Sequence, residues 1–254
     1  MGKNTFISLL PAIICLLIFT SLLPENALSA NLSISPTRVF FDGQRKIDIL
    51  TLKNASEEEL TLQLRAYKWE QDKEVKNVYS PTKDIIFFPK IFRIPQGEER
   101  LVRIGTKIPP GKHEKTYRLY IEEVPAPRSV ETTAVRILLR IGVPIFISPL
   151  KTEAKAVIEK AALIKGRLLF TLKNQGNSHF IIKTVKVKGT DAGGKETFNT
   201  EIGGWYLLGG NSKVFTVDLP ADNCPNTKTL NIDINTDKLS LNEKLDISTE
   251  MCAP

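Results

Sequence analysis

Histidine is nearly absent from this chain. The two present in 254 residues, His113 and His179, lie far apart with no third metal ligand at a readable spacing. HExxH, GxSxG and a phosphate-cradling P-loop are missing as well. These gaps argue against metallohydrolase, serine hydrolase and nucleotide-driven readings, and each histidine reads as structural. The expectation is a protein that is not an enzyme, with no cofactor and no metal. Cysteine is scarce too: of three, Cys15 falls in the first thirty residues, and Cys224 and Cys252 remain without a CxxC. In an oxidising exported compartment an even pair is more often a disulfide than a metal site, and the bond is predicted to staple the last strands. A block of like charge is lacking: the formal net charge of +7 is spread over positions such as Lys83, Arg93, Lys112 and Lys151. That scatter argues for a solvated surface and against nucleic-acid binding. No small-molecule substrate is indicated either.

Long apolar runs occur once. After Lys3 comes "ISLLPAIICLLIFTSLL", followed by a polar stretch that ends in the small residues "NALSA". Residues 1–30 therefore read as a cleavable export signal, cut near Ser29 or Ala30. Pro11 and the prompt polar tail argue against a permanent anchor. About 224 residues remain, enough for two domains of ordinary size.

What fills them is short strands. "RKIDILTLKN", "LTLQLRAYKW", "ERLVRIGTK", "KTYRLYIEEV", "AVRILLRIGV", "GRLLFTLKN", "FIIKTVKVKG" and "SKVFTVDL" carry apolar residues at nearly every second position. Turn clusters such as "FDGQ", "IPQGEE", "KNQGNS" and "LGGNS" separate them. That rhythm predicts an all-β chain of antiparallel sandwiches. Only "KTEAKAVIEKAALIKG" has a helical period, and it reads as a linker feeding the first strand of a second sandwich. An internal echo supports two related units: "ILTLKNASEEEL" with a later "IPQGEERLVRIGT" is matched by "LFTLKNQGNSHF" with a later "LLGGNSKVFTVD". The expected domains are residues 31–149 and 150–254, divided near Pro149 to Glu153. Trp69, Phe87, Phe88 and Phe92 read as core or inter-strand packing.

"SPTRVFFDG", "LTLKNASEEEL", "YKWEQD", "FFPKIFRIPQGEERLVRIG", "YRLYIEEVP", "LLRIGVPIFISP" and "LKNQGNSHF" stand in the order found in periplasmic pilus-assembly chaperones. The chain resembles these PapD-like partners of outer-membrane ushers, and "RIGVPIFISP" and "YKWEQD" are similar to their archaic branch. The resemblance is dense in the first domain and thin after Thr184. It implies two immunoglobulin-like β-sandwiches in a boomerang arrangement with an inter-domain cleft, located in the periplasm. It also implies partners: pilus or fimbrial subunits, held by donor-strand complementation, and an outer-membrane usher that receives them. Self-association through the donor strand is a further expectation. A structural pilus or surface protein of two sandwiches is the alternative.

Within "AVRILLRIGV", strand alternation puts Val135, Ile137, Leu139 and Ile141 on one face and Ala134, Leu138 and Gly142 on the other. The expectation is that the second set packs into the domain's own core while the first lies open as the donor face. The resemblance further implies a cleft arginine and a lysine that grip the subunit's terminal carboxylate. Arg38 in "SPTRVFF" matches the arginine, but Pro144 stands where the lysine belongs. Arg140 and Arg103 are the candidate substitutes.

Overall fold

The computed structural model describes residues 31–125 and 137–252. The expected signal, residues 1–30, and position 135 of the apolar stripe lie outside the described residues.

Alternation in the sequence becomes alternation in burial. β3 (Ile47–Asn54), β8 (Glu99–Thr106), β1 (Leu32–Ser35) and β6 (Ile85–Phe88) form one sheet in the order β1-β3-β8-β6. The facing sheet runs β2-β10-β9-β4-β5, from β2 (Val39–Phe41), β10 (Arg140–Ile147), β9 (Lys115–Glu123), β4 (Leu60–Gln71) and β5 (Asn77–Pro81), while β7 (Ile91–Ile94) also pairs with β4. Every second residue of the longer strands points between the sheets: Leu60, Leu62 and Leu64 of β4, Tyr117, Leu119 and Ile121 of β9, Val143, Ile145 and Ile147 of β10.

A second sandwich follows with its own core. Its sheets are β11-β12-β16, from β11 (Ala156–Ile164), β12 (Arg167–Asn174) and β16 (Ser212–Asp218), and β14-β13-β17-β18, from β14 (Glu196–Gly203), β13 (Phe180–Thr190), β17 (Thr229–Thr236) and β18 (Ser240–Asp246), with β15 (Tyr206–Leu207) beside β13. Leu168, Phe170, Leu172, Val185, Val187, Ile232 and Ile234 fill it. The stretch read as linker is extended at first and then becomes β11.

The sequence echo has a structural counterpart. Asn54 and Asn174 are both fully buried at the ends of β3 and β12. Each turns its side-chain amide onto the carbonyl four residues on, Glu58 or Ser178, and onto a strand carbonyl across the sandwich, Ile94 or Leu207. Each accepts at its own carbonyl the amide of a turn glycine, Gly97 or Gly210, whose φ of 74° or 81° suits glycine. A buried asparagine with every group bonded fixes the turn, and that constraint is what the repeated "LKN" reports.

Cys224 and Cys252 are bonded, with Cα atoms 5.8 Å apart. The bond joins two short 3-10 turns, Cys224–Asn226 and Thr249–Cys252, and not the last strands themselves.

The sandwiches meet through side chains that leave the first core on its outer face. Trp69 of β4, Phe146 of β10, Tyr206 and Leu208 form a buried cluster. Gln71 donates to the Tyr206 carbonyl at 2.8 Å and accepts from the Leu208 amide at 3.0 Å. His179, expected only to be structural, sits in this junction: its ring stacks on Phe146 at 3.8 Å, and its Nδ1 lies 2.6 Å from a Glu114 carboxylate oxygen that also accepts the His179 amide. His113 is exposed.

Candidate functional site

β10 is two strands in one. Its second half, Ile145–Ile147, is flanked by β9 on one side and by the parallel β2 on the other. Its first half, Arg140–Pro144, pairs with β9 alone, and among the described residues nothing pairs with its outer side. The Glu123 amide donates to the Leu139 carbonyl, so odd positions turn their backbone groups inward to β9. Even positions turn theirs to the free edge, where the Gly142 carbonyl already accepts from the Arg118 side chain. An open row of donors and acceptors of this kind is a template for another strand.

The apolar stripe beside that edge is continuous with the core. Val143, Ile145 and Ile147 are essentially inaccessible, Ile141 and Leu139 are half-buried, and Ile137 is 81% exposed. Side chains that fill the sandwich thus run out of it along the strand and end in solvent. This corrects the expected assignment of faces. Leu138 and Gly142 do not pack into the domain's core: Leu138 is exposed, and Gly142 faces Tyr120 and Arg118, where an added Cβ would stand 3.0 Å from the Tyr120 ring. The stripe of Ile137, Leu139 and Ile141 shares the core's own face. The core ends before the stripe does.

The arginines separate clearly. Arg38 immediately precedes β2, is exposed, and has no side-chain partner among the described residues. The strand it introduces closes the free edge, so it stands where an added strand would have to stop. Arg140 is engaged within the domain, 2.9 Å from Glu122 and 4.2 Å over the Tyr120 ring. Arg103 lies on β8 in the other sheet, opposite Ile49 and Phe88, and is not brought to the edge. Neither lies in register with Pro144, where the lysine was expected. Of the aromatic residues read as packing, Trp69 and Phe92 are buried but Phe88 is 74% exposed.

One residue of the site went unread in the sequence. Arg118, inside "YRLYIEEVP", is only 7% exposed. Its guanidinium carbon lies 4.2 Å from the Trp69 ring centre, 5.5 Å from Tyr206 and 5.9 Å from Trp205. One terminal nitrogen donates to the Gly142 carbonyl at 3.0 Å, while the buried Nε has no partner. Its neighbour Tyr120 is pushed up to about 12, by burial first and then by hydrogen bonding to Tyr79, with Arg140 and Arg118 pulling the other way. Only the strand alternation around Arg118 hints at its placement: Tyr117, Leu119 and Ile121 face the core, so Arg118 must face the junction.

A cavity of about 580 Å³ also opens between the sandwiches, lined by Gln71, Asp84, Glu114 and Asn211 among others. It includes neither Arg38 nor Arg118.

Residues 31–153 match the family described as pili and flagellar-assembly chaperone, PapD N-terminal domain. Among curated proteins none matches the chain in sequence. Solved structures that share the fold include the CsuC–CsuE chaperone–tip adhesion subunit pre-assembly complex from archaic Csu pili of Acinetobacter baumannii, at 19% identity and TM-score 0.59 over 85% of this chain and 98% of that one. The E. coli chaperone DraB aligns at 16% identity and TM-score 0.53, over 86% and 98%. The SafA pilin in complex with the SafB chaperone from Salmonella enterica aligns at 15% and 0.54, over 87% and 99%.

Proposed function

Residues 31–153 belong to the PapD N-terminal family of pilus-assembly chaperones, and from that premise we propose that the chain holds pilus subunits by lending them the edge of β10. The family and fold are those of non-enzymatic chaperones, and the family's chaperones are periplasmic.

The observation that carries the reading is the emergence of the Ile137, Leu139 and Ile141 stripe from the core beside an edge paired on one side only. A subunit lacking a strand has the complementary defect, a groove of apolar side chains bordered by unpaired backbone. Adding a strand satisfies both at once: backbone pairing supplies much of the affinity, and alternate side chains entering the groove fix the register. β2 blocks further growth of the added strand past Pro144, and Arg38 at that end offers a guanidinium to a terminal carboxylate. The loaded chaperone then passes its subunit to an outer-membrane usher, where a subunit's own partner strand displaces β10.

Co-expression with pilus subunits tests this. A chaperone yields a stable one-to-one complex; a polymer built of this chain, or no complex with any subunit, refutes it.

A further inference from the structure

The outer face of the β1-β3-β8-β6 sheet breaks the alternation that built it. Inward positions fill the core, and the outward positions of a solvated sheet should be polar. Here Ile47 and Ile49 of β3, Ile86 and Phe88 of β6 and Leu101 of β8 all point outward, each between 46% and 74% exposed. Register gathers them. Ile47, Gly105 and Ile86 stand side by side in one row, Ile49, Arg103 and Phe88 in the next, and Thr51 and Leu101 in the third. At ~4.8 Å between strands and ~3.4 Å per residue, the patch measures about 10 by 14 Å. A contiguous apolar area on the scale of ~300 to 600 Å² marks an interaction site, whereas apolar residues exposed singly do not.

Charge says what covers it. Arg103 stands in the middle of the patch, between Ile49 and Phe88, and Lys46, Lys107 and Lys83 lie just beyond the adjoining ends of β3, β8 and β6. All four are exposed, and among the described residues none has a side-chain partner. Nearby acids are already engaged: Asp48 with Arg45 at 2.7 Å, Asp84 with the Tyr117 hydroxyl at 2.8 Å, and Asp42 with the amides of its own loop. Among the described residues Glu99 is the one acid on the face, and it lies at the far end opposite Lys53. A second copy of the chain does not fit this pattern. A two-fold that centres the apolar residues on one another also sets Arg103 on Arg103, like charge on like. A protein partner is disfavoured by composition, since lysine is depleted from protein interfaces while an anionic lipid surface attracts it.

We propose that this face docks on an anionic lipid surface, with Phe88, Leu101 and the isoleucines entering the headgroup boundary and Arg103, Lys46, Lys83 and Lys107 meeting the lipid phosphates. Each half is weak alone: a small apolar patch does not hold a protein to a bilayer, and a few exposed lysines are screened by salt. On one plane they act as two signals together. Arg103 suits the middle of such a face, because its aliphatic stem lies along apolar surface while its head stays at headgroup level. The inference is independent of the strand-lending reading. β10 belongs to the facing sheet, so a docked chain keeps its free edge open.

Vesicle flotation tests this, with the exported chain starting at residue 31 so that the apolar run before it cannot contribute. The probes are vesicles of phosphatidylglycerol with phosphatidylethanolamine, which are anionic, and vesicles of phosphatidylcholine, which are neutral overall. The anionic vesicles should bind the chain about tenfold more tightly or better, and added salt should erase the difference. Joint replacement of Phe88 and Leu101 by aspartate should abolish flotation, and changing Lys46, Lys83 and Lys107 together to glutamine should weaken it ~100-fold. Ile137→Asp, on the other sheet, should float as wild type does. In the wild-type protein a nitroxide-bearing lipid in the anionic vesicles should broaden the methyl resonances of Ile49 and Leu101 and leave that of Ile137 sharp, a measurement that needs no variant to fold. No flotation, equal binding to both vesicles, flotation that survives the paired aspartates, or broadening at Ile137 in place of Leu101 overturns the proposal. A wild-type dimer in solution whose mass halves in Leu101→Asp overturns it too, by assigning the face to a second copy.

Discussion

Changing Ile137 to aspartate probes the lent edge with little disturbance to the chaperone itself. Ile137 is 81% exposed in the free protein. Full burial of an isoleucine is worth ~1.5 to 3 kcal/mol, so enclosing it in a subunit groove contributes roughly 1 to 2.5 kcal/mol. Aspartate forfeits that contribution and also places a carboxylate among apolar walls, a polar burial that costs a further ~2 kcal/mol or more. The sum, about 3 to 5 kcal/mol, corresponds to a complex weakened roughly 150- to 4,000-fold. In the free chain the substitution sits in water, and the melting temperature should stay within ~3 °C of wild type. The assay is titration of a co-expressed subunit against purified wild-type and variant chaperone, with thermal melts alongside. Ile47→Asp is the control: it is 69% exposed, but on β3 in the other sheet, and should leave subunit affinity alone. Retained affinity in Ile137→Asp, or equal losses in both variants, would refute the edge as the binding element. The double change at Ile137 and Leu139 should abolish subunit recovery altogether.

Arg38→Ala should weaken subunit binding by ~10- to 150-fold, the worth of a hydrogen bond to a charged group, with little change in melting temperature because Arg38 is exposed and has no side-chain partner to lose among the described residues. Replacing Cys224 and Cys252 by serine opens a link spanning 28 positions and should lower stability by ~3.5 kcal/mol in the chain-entropy account, read by denaturant melts of the oxidised protein against the variant. Alkaline unfolding offers a further check. Burial, then the hydrogen bond to Asp84, raises Tyr117 above the ordinary tyrosine range, and burial raises Tyr120 to about 12. Both phenols are therefore held neutral by the fold: their contribution is intact below pH ~10 and is lost as pH climbs beyond it toward 12. Tyr117→Phe should flatten that decline while lowering stability at neutral pH through the lost Asp84 bond at 2.8 Å; an unchanged slope would refute the assignment.

The architecture was written in the order of residues because its causes are local. Alternation forces side chains to opposite faces of a strand, so two apolar stripes separated by turns specify a sandwich before any contact is known. The repeated "LKN" turn was legible for the same reason, since Asn54 and Asn174 close it locally by donating to Glu58 and Ser178 four residues on; their bonds to Ile94 and Leu207 across each sandwich were supplied by the fold. Even the pairing of Cys224 with Cys252 needed only a count.

Neighbourhood across strands was not written there. Alternation in "AVRILLRIGV" names which residues share a face, but whether a face is covered depends on how far the opposing sheet extends, and that is a property of the whole domain. Hence Ile137 and Ile147 are equivalent in pattern and opposite in exposure. Arg118 looks like any strand arginine until β9 is laid beside β10 and Tyr206 arrives from the second sandwich. Sequence determined the strands, the two cores and the apolar ribbon; tertiary structure alone decided where the ribbon is bare, because burial acts through space and not along the chain.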